Sequence, residues 1–495
     1  MCFQQADFFL LRVVSLESGV FSQKISALRL QTYDSRLLII VSENIKPTVM
    51  KFGGTSVQDA EAFARVASIV KGEEANSPVV VTSAMSKVTD ALLNAFDLAK
   101  KGAIEDAVLS LEPHFERHRA VSRELTSEAE QRLFAVELDF AEKELADLLM
   151  RVSRRSLPLA MLKDAIVSYG EQLSSRLLAF VCQSAGLNAR HADSRRLIVT
   201  DDEYGSAAPI FDETEKLVQL ELQTLINAGE IPVMGGFIAA SRSGETTTLG
   251  RGGSDYSAAI VGAALAAREI QIWTDVTGVL TSDPRICAEA RTLKTLSYEE
   301  AAELAYFGAK VLHPKTIQPA VDLQIPVRVC NSHQPAEKGT MILPSSLSTP
   351  RKVKSIAYKK GITILHITSA RMLGAYGFMS AIFQIFERHR TVIDVVTTSE
   401  VSVSLTLDNT DSLEAVVKDL QRIATVDVEP NQAVVCVVGS GLRDTSGVAG
   451  QIFTAITDFN ISLISHGASS VNMTFVVEEP VVKDVIKRLH DEFFK

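Results

Sequence analysis

TTTLGRGGSDYSA, residues 246–258, joins two apolar runs through a loop that is rich in glycine and hydroxyl side chains. The run before it reads IPVMGGFIAA (231–240), and the run after it reads AAIVGAALAA (258–267). This order predicts a strand, a loop and a small-residue helix whose N-terminus can approach an anionic ligand closely. An ordinary tight turn is the alternative, and it would be preferred for a lone pair of glycines. Arg251 and Asp255 inside the loop favour a ligand site.

The length and composition of the chain limit the kinds of protein that it can be. The chain has 495 residues, of which 46% are apolar and 22% charged, and this predicts a globular protein of two or three domains. A net charge of −10 gives no electrostatic support for binding nucleic acid or an anionic membrane surface. Five scattered cysteines without a CxxC pair argue against a zinc site or a disulfide framework and favour a reducing compartment, so we expect a cytoplasmic protein. No apolar run is as long as a membrane span.

Strands and helices alternate up to residue 331, which predicts a mostly parallel α/β sheet covered by helices on both faces. Three motifs directly follow strands: KFGGTS (51–56), TSAMSK (82–87) and TDVTG (274–278). Because such sheets bind ligands at the carboxyl ends of their strands, these motifs are candidates for a shared site. Residues 103–155 carry apolar positions at helical spacing and predict a helical insertion.

The remainder of the chain contains an approximate internal repeat. Residues 332–354, with Pro335, Pro344 and Pro350, have the composition of an exposed connection, and MIL (341–343) within them is a candidate for local strand pairing. Two segments then follow in the order strand, glycine-containing turn, helix, strand, strand and helix, which predicts a pair of ferredoxin-like βαββαβ modules. TVDVEP (425–430) would supply the fourth strand of the first module. KVKSIAYK (352–359) could supply the missing edge of the second, which would interleave the two modules.

These patterns divide the chain into four parts: an N-terminal extension of unknown role (1–46), a catalytic domain (47–345), a first module with a leading strand (352–430) and a second module (431–495). Within the extension, QADFFLLRVV (5–14) and SRLLIIVSE (35–43) resemble short strands. Neither a secretory signal nor an organelle transit peptide fits its composition, and we expect either a loosely attached segment or the product of an upstream start codon.

Six motifs together resemble those of the aspartate kinase family, whose monofunctional members join an amino acid kinase domain to paired ACT modules. They are MKFGGTSV (50–57), VVVTSAMSKVTD (79–90), YGEQLSSRL (169–177), the opening stretch, WTDVTGVLTSDPR (273–285) and FGAKVLHPKT (307–316). The resemblance implies transfer of the ATP γ-phosphoryl group to the side-chain carboxylate of L-aspartate, with Mg²⁺ on the ATP phosphates. It also implies an end-product amino acid as effector, with lysine or threonine as candidates, and a homodimer or higher homo-oligomer.

The chemistry of phosphoryl transfer fits the residues at these motifs, because it requires positioning and charge neutralisation more than covalent participation. Lys51, beside Gly53 and Gly54, is assigned to the transferring phosphoryl group; a lysine that merely extends from a strand end to solvent is the alternative. No GxxxxGK[ST] stretch occurs, so the chain is not a P-loop enzyme. Asp255 is expected to order Lys51 rather than act as a base.

The acceptor pocket follows from the same resemblance. A planar guanidinium suits bidentate pairing with a carboxylate, so Arg251 is assigned to the α-carboxylate of the substrate. Glu171 is assigned to the α-ammonium group, although an acid complementing the helix dipole is the alternative. Further substrate contacts are expected from Ser83, Thr89, Phe237 and Ser254. Nucleotide contacts are expected from Thr274, Asp275, Asp283, Arg285 and Lys310. Leu280 stands where many members carry Tyr, so an aromatic contact to the base is expected to be missing.

The family's effector site maps onto eight residues of the first module: Met372, Phe378, Val392, Ile393, Asp394, Thr398, Ser399 and Glu400. The alternative is that Phe378, Val392 and Ile393 are plain core and Asp394 a turn cap. Ala375 replaces a polar contact of lysine-sensitive members, which weakens any claim for lysine in particular. The sequence does not name the effector.

Two other functions compete with this one. A kinase of the same superfamily could use glutamate, acetylglutamate or a nucleotide as acceptor, but a nucleotide acceptor would not need an ammonium partner such as Glu171. An amino-acid sensor without kinase activity is the second competitor, and Lys51, Arg251 and Asp255 speak against it.

Overall fold

The computed structural model describes residues 28–32, 38–42, 45–308, 314–345, 352–374 and 376–495. The chain separates into two units, Met1–Ile45 and Lys46–Lys495. The first contains an antiparallel pair, β1 (Leu28–Thr32) and β2 (Leu38–Ser42). The second of these confirms a strand within 35–43, whereas residues 5–14 lie outside the described residues. Within the described residues no helix is long and apolar enough to cross a membrane.

The strands of the catalytic region alternate with helices, as predicted. The strands are β3 (Thr48–Phe52), β4 (Pro78–Thr82), β5 (Ala189–Ala192), β6 (Val199–Thr200), β7 (Ile231–Gly235), β8 (Ile238–Ser241), β9 (Thr246–Thr248), β10 (Glu269–Thr274), β11 (Thr295–Ser297), β12 (Val327–Asn331) and β13 (Thr340–Leu343). The helices are α1 (Ala60–Gly72), α2 (Val88–Lys100), α3 (Ile104–Leu109), α4 (Glu112–Leu125), α5 (Glu128–Arg154), α6 (Leu159–Val167), α7 (Tyr169–Ser184), α8 (Phe211–Asn227), α9 (Gly253–Ala264), α10 (Tyr298–Tyr306) and α11 (Gln318–Asp322).

In the part of the chain that the structure describes, eight strands form the main sheet in the order β11-β13-β12-β10-β3-β4-β7-β5. Every neighbouring pair is parallel except β12–β13, which confirms the mostly parallel sheet. Successive residues of β4 point to opposite faces: Val79 and Val81 join a core that contains α8 and α9, and Val80 joins a core that contains α1, α2 and α7. Burial on both faces explains why these strands are continuously apolar.

β13 confirms the local pairing that was allowed for MIL (341–343) within the otherwise exposed connection. Residues 340–343 form a strand that pairs antiparallel with β12 and parallel with β11. Thr340 and Ile342 are fully buried there. A run this short does not distinguish a buried strand from a loop by sequence pattern alone.

The C-terminal region forms one six-stranded sheet with the order β15-β16-β14-β17-β19-β18. Its strands are β14 (Val353–Thr368), β15 (Val396–Thr398), β16 (Ser402–Leu407), β17 (Thr425–Gly439), β18 (Leu463–His466) and β19 (Asn472–Glu478). Its helices are α12 (Phe378–Arg388), α13 (Leu413–Leu420), α14 (Val448–Ala455) and α15 (Val482–Phe494).

The predicted interleaving of the two modules is confirmed, although by longer strands than expected. β14 and β17 are each continuous where two strands were predicted, and they pair along their whole length from Val353↔Gly439 to Thr368↔Thr425. The N-terminal half of β14 therefore belongs to the sheet of the second module, and Thr425–Glu429 belongs to that of the first. The division of the chain into domains at residues 345, 352 and 430 remains a proposal.

The second module is buried on both faces. Along β17, Ala433, Val435 and Val437 pack with α14 and α15. The alternate residues Cys436 and Val438 pack in the core that contains α10 of the catalytic region. The sheet face that its own helices leave open is therefore covered by the catalytic region.

Candidate active site

A cavity of about 420 Å³ lies at the carboxyl ends of β3, β4 and β7 and at the N-terminus of α9. Its wall contains most of the residues predicted to act in catalysis and acceptor binding. They are Lys51, Gly54, Ser83, Thr89, Glu171, Phe237, Ser254 and Asp255, together with Ala84, Met85, Ser86, Lys87, Asp90, Gly250, Gly252 and Gly253. A larger depression of about 580 Å³ beside β8 contains none of the predicted residues.

Lys51 and Asp255 form an ion pair inside this cavity. Lys51 Nζ lies 2.7 Å from Asp255 Oδ1, and the two side chains are only 12% and 16% exposed. Asp255 stands in the first turn of α9, where a helix stabilises negative charge. The carboxylate therefore holds the ammonium group at the end of β3, in the place where the sequence predicted a cation beside Gly53 and Gly54.

Hydrogen bonds from serine side chains join three elements of the acceptor wall. Ser83 Oγ donates to Ser254 Oγ over 3.0 Å, which joins the end of β4 to α9. Ser174 Oγ, on α7, donates to the Ser83 carbonyl over 2.7 Å. These bonds fix the positions of β4, α7 and α9 relative to one another around the cavity.

Close approach of backbones explains the glycine pair of IPVMGGFIAA. A Cβ added at Gly236 would lie 2.7 Å from the Cα of Ser254. Only glycine therefore lets β7 approach the first turn of α9. Phe237 follows with φ +66°, and Lys87 on the opposite wall has φ +68°. Non-glycine residues in this region are uncommon and are concentrated at functional sites.

Glu171 has an unusual environment. Its side chain is buried, and Oε2 has no hydrogen-bond partner within the described part of the chain. Burial raises the pKa of this carboxyl to about 8, although the backbone N–H of Ala84 acts in the opposite direction. A carboxylate that faces a cavity without a cationic partner is suited to receive a cation from a ligand.

Arg251 stays outside this cluster. It is exposed, and it does not line the cavity although Gly250 and Gly252 on either side do. The guanidinium of Arg251 is therefore not part of the cavity wall in this structure.

The predicted nucleotide residues follow β10, the strand beside β3. Thr274 ends this strand, and its Oγ1 donates to Asp275 Oδ1 over 3.1 Å. Asp283 and Arg285 form a bidentate pair of their own, with Nη2–Oδ2 at 2.7 Å, and the Arg285 hydrogen bond lowers the pKa of Asp283. Neither residue lines the cavity around Lys51. Lys310 lies outside the described residues.

Leu280 also lies in this segment, and it forms an isolated antiparallel bridge with Thr292. Its carbonyl accepts a hydrogen bond of 2.8 Å from Ser355 Oγ, on β14. The segment that was expected to hold the nucleotide is thus in contact with the regulatory sheet.

The predicted effector residues divide into two groups. Met372, Phe378 and Ile393 pack against the core of the first module, and for Phe378 and Ile393 the core alternative expected this. That alternative is wrong for Val392, which is 66% exposed. It is also wrong for Asp394, which accepts a hydrogen bond from the Tyr306 hydroxyl of α10 and is therefore not a turn cap. Ser399 bonds Ser402, Thr398 and Glu400 are exposed, and Ala375 lies outside the described residues.

Three residues at or near these sites were not singled out by the sequence. Arg117, from the helical insertion, donates to the carbonyls of Ser86 and Gln58. Asp164 accepts from two backbone N–H groups near the opening stretch. Tyr306 reaches Asp394, 88 positions away. Asp164 was the one with a visible signal, because it is the only acid in the predominantly apolar stretch LAMLKDAIV (159–167).

Comparison with known proteins first shows the families to which the two regions of the chain are similar. The model of the amino acid kinase family matches residues 46–331, and an ACT domain model matches residues 435–493. Among curated relatives, aspartokinase 1, chloroplastic, of Arabidopsis thaliana is 36% identical and covers 97% of this chain and 85% of its own length. Lysine-sensitive aspartokinase 3 of Escherichia coli K12 is 36% identical over 90% of this chain and 99% of its own.

Solved structures of aspartokinases are also similar to this chain. Escherichia coli aspartokinase III in complex with aspartate and ADP (R-state) superposes with a TM-score of 0.76 at 35% identity, over 91% of this chain and 100% of that one. The same enzyme in complex with lysine and aspartate (T-state) gives the same values. The chain belongs to the amino acid kinase family and, within it, to the aspartate kinases.

Proposed function

We propose that the chain is a feedback-regulated aspartate kinase, which transfers the γ-phosphoryl group of ATP to the β-carboxylate of L-aspartate and gives 4-phospho-L-aspartate. This is the first step of the branch that leads to lysine, threonine and methionine. The observation that carries the proposal is the shared cavity of Lys51, Asp255 and Glu171. It offers a held cation for a phosphoryl group and a buried acid for an ammonium group.

The chemistry follows from the charges of the reactants. The β-carboxylate of aspartate is already ionised near neutral pH, so no residue has to remove a proton from the nucleophile. Negative charge spreads over the oxygens of the transferring group, and Lys51 would stabilise it in a site that excludes much of the water. Asp255 would fix the direction in which Lys51 points.

The acceptor would be held at two points. Glu171 would pair with the α-ammonium group, and Arg251 would pair with the α-carboxylate when the loop bends toward the cavity. Ser83, Ser254, Thr89 and Phe237 would complete the pocket. Holding both charged groups of the amino acid orients the β-carboxylate toward Lys51.

ATP with Mg²⁺ is the proposed phosphoryl donor, and the solved relative with ADP supports a nucleotide. The described residues contain no group of three or more His, Cys, Asp or Glu that could hold a metal ion. Magnesium in such sites generally keeps several waters and is held largely by substrate phosphates. Gly53 and Gly54 beside Lys51, with Thr274 and Asp275 at the end of the neighbouring strand, are proposed to receive the phosphates.

ADP release measured by a coupled assay tests the proposal against its competitors. We expect turnover with L-aspartate, little with L-glutamate and none with water as acceptor. Turnover with L-glutamate alone would assign another acceptor, and the absence of turnover with every acceptor would favour a sensor.

An amino-acid effector is proposed to bind the first module, with lysine or threonine as candidates. The relative solved with lysine supports the first of these. Titration of the activity with lysine, threonine and S-adenosylmethionine would identify the effector. A homodimer or higher homo-oligomer and a cytoplasmic location are also proposed. The Arabidopsis relative is named as chloroplastic, so a fluorescent fusion of the full chain would decide between the two compartments.

A further inference from the structure

Asp164 is a buried carboxylate outside the cavity wall. It lies on α6 and is 2% exposed. Its Oδ2 accepts two backbone hydrogen bonds of 2.8 Å each, one from the N–H of Gly205 and one from the N–H of Thr248. Hydrogen bonds to a charged group are stronger than those between neutral groups, and a buried N–H that loses its acceptor destabilises the folded protein. One oxygen atom therefore holds together two chain segments that are far apart in sequence.

Both segments build the acceptor loop. Thr248 ends β9, two residues before Gly250 and three before Arg251. Gly250 has φ +77°, and a Cβ there would lie 3.3 Å from the carbonyl oxygen of Gly205. The turn at Gly250 therefore packs against the backbone of Gly205. Asp164 holds both this backbone and the end of β9 in place.

Asp164 also belongs to the helical segment that carries Glu171. Its own carbonyl accepts the N–H of Ser168, and the carbonyl of Ser168 accepts the N–H of Gln172, next to Glu171. The main chain of Asp164 is therefore joined to the residue proposed for the ammonium group, while its side chain is joined to the loop proposed for the carboxylate.

We propose that Asp164 is a positioning residue for the amino-acid acceptor: it sets the distance between Glu171 and the loop of Arg251, and so the fit of an α-amino acid between them. This inference rests on the proposed function. Asp164 does not touch the acceptor, and its effect passes through the backbone of residues 205 and 248–251. The two hydrogen bonds of Asp164 Oδ2 go to Gly205 and Thr248, and not to the residues at the ends of β3 and β10 that are proposed to bind the nucleotide.

Steady-state kinetics of the full chain, with each substrate varied in turn, test the inference. Asp164→Ala is expected to raise the KM of L-aspartate by roughly tenfold or more, while the KM of ATP changes by less than about twofold, because loss of uniform acceptor binding raises only that KM. Asp164→Asn keeps an accepting oxygen, so its KM for aspartate should lie much closer to the wild-type value.

Asp201→Ala is the matched control. Asp201 Oδ1 also accepts two backbone N–H groups, those of Ala208 at 2.9 Å and Glu203 at 3.3 Å, in the same loop as Gly205 but without a bond to Thr248. We expect its two KM values to stay close to wild type. Equal changes in both KM values of Asp164→Ala, or a shift in its melting temperature with unchanged KM values, would overturn the inference. So would an equal rise in the aspartate KM of Asp201→Ala. If the wild-type chain itself fails to use aspartate, the proposed function fails instead.

Discussion

Glu171 is the residue whose chemistry depends most on its surroundings. Sequence alone placed this acid at the start of a helix, where a favourable contact with the helix dipole was the alternative to pairing with the substrate ammonium group. Burial favours the second interpretation, because Oε2 has no hydrogen-bond partner among the described residues and burial disfavours the charged form of the carboxyl group. The sequence could supply the residue types of the cavity, but not their exposure, which depends on how α7 packs.

The pKa of Glu171 predicts the pH dependence of acceptor use. Because its pKa is raised to about 8, the free enzyme holds this carboxyl protonated at neutral pH, and it must lose the proton to pair with an ammonium group. The value of kcat/KM for aspartate should rise about tenfold per pH unit below this pKa and level off above it, since kcat/KM reports groups of the free enzyme. Measurement from about pH 6 to about pH 9 checks this. Glu171→Gln should remove the inflection; an unchanged profile would exclude Glu171 as its source.

Arg251 provides a test of the acceptor loop. Arg251→Lys keeps the charge but loses the planar fork, so we expect the KM of aspartate to rise far more than the KM of ATP. The same kinetic scheme with each substrate varied separately measures both values. Equal effects on the two substrates would contradict the assignment of Arg251 to the acceptor.

At the scale of elements, the sequence was most accurate where one physical signal dominated. The motifs KFGGTS, TSAMSK and TDVTG were predicted to follow strands, and β3, β4 and β10 end at Phe52, Thr82 and Thr274, within the first two residues of these motifs. α1 begins after Asp59, whose side chain caps it. The length of β14 was not predictable in the same way. KKG (359–361) reads as a turn, but Gly361 has φ +72° and the register shifts there, so a bulge lets the strand continue.

The helical insertion contributes to the site through Arg117. One guanidinium donates to the carbonyl of Ser86 over 3.0 Å and to that of Gln58 over 2.7 Å, which joins the loop after β4 to the loop after β3. Arg117→Ala should raise the KM values of both substrates, because both loops lose a shared anchor. Substrate-variation kinetics measure this effect. Arg123→Ala is the matched control on the same helix, because that side chain is 61% exposed and pairs with Glu116. A response confined to one substrate would contradict the shared anchor.

At the scale of the whole molecule, α10 connects the catalytic sheet to the regulatory sheet. The Tyr306 hydroxyl donates to Asp394, and Lys359 Nζ lies 3.6 Å from the same carboxylate and 5.2 Å from the centre of the Tyr306 ring. Asp394 is thus already engaged by two groups, although it was predicted to contact an effector. Residues so distant in sequence could not be paired without the fold.

Competition between Tyr306 and the effector for Asp394 predicts how a substitution of Tyr306 changes feedback inhibition. If the ammonium group of the effector binds Asp394, it must compete with Tyr306, so Tyr306→Phe should lower the effector concentration for half-inhibition by roughly tenfold, the equivalent of a hydrogen bond to a charged group. Inhibition curves with the effector found by titration measure this shift. Glu299→Ala, an exposed position on the same helix, should leave the curve in place. Weaker inhibition of Tyr306→Phe would show that the bond transmits the signal instead.

The cavity around Lys51 is proposed to be the place where the carboxylate of aspartate is phosphorylated. Hydroxylamine trapping of the acyl phosphate, with the product identified by mass spectrometry, tests this function most directly. We predict that the wild-type chain, supplied with ATP, Mg²⁺ and L-aspartate, yields aspartate β-hydroxamate. We also predict that Lys51→Ala lowers the rate by about 10²–10³-fold while the substrate KM values change little. ATP-dependent ADP release without any hydroxamate, or a Lys51→Ala variant that forms it at the wild-type rate, would contradict this function of the cavity.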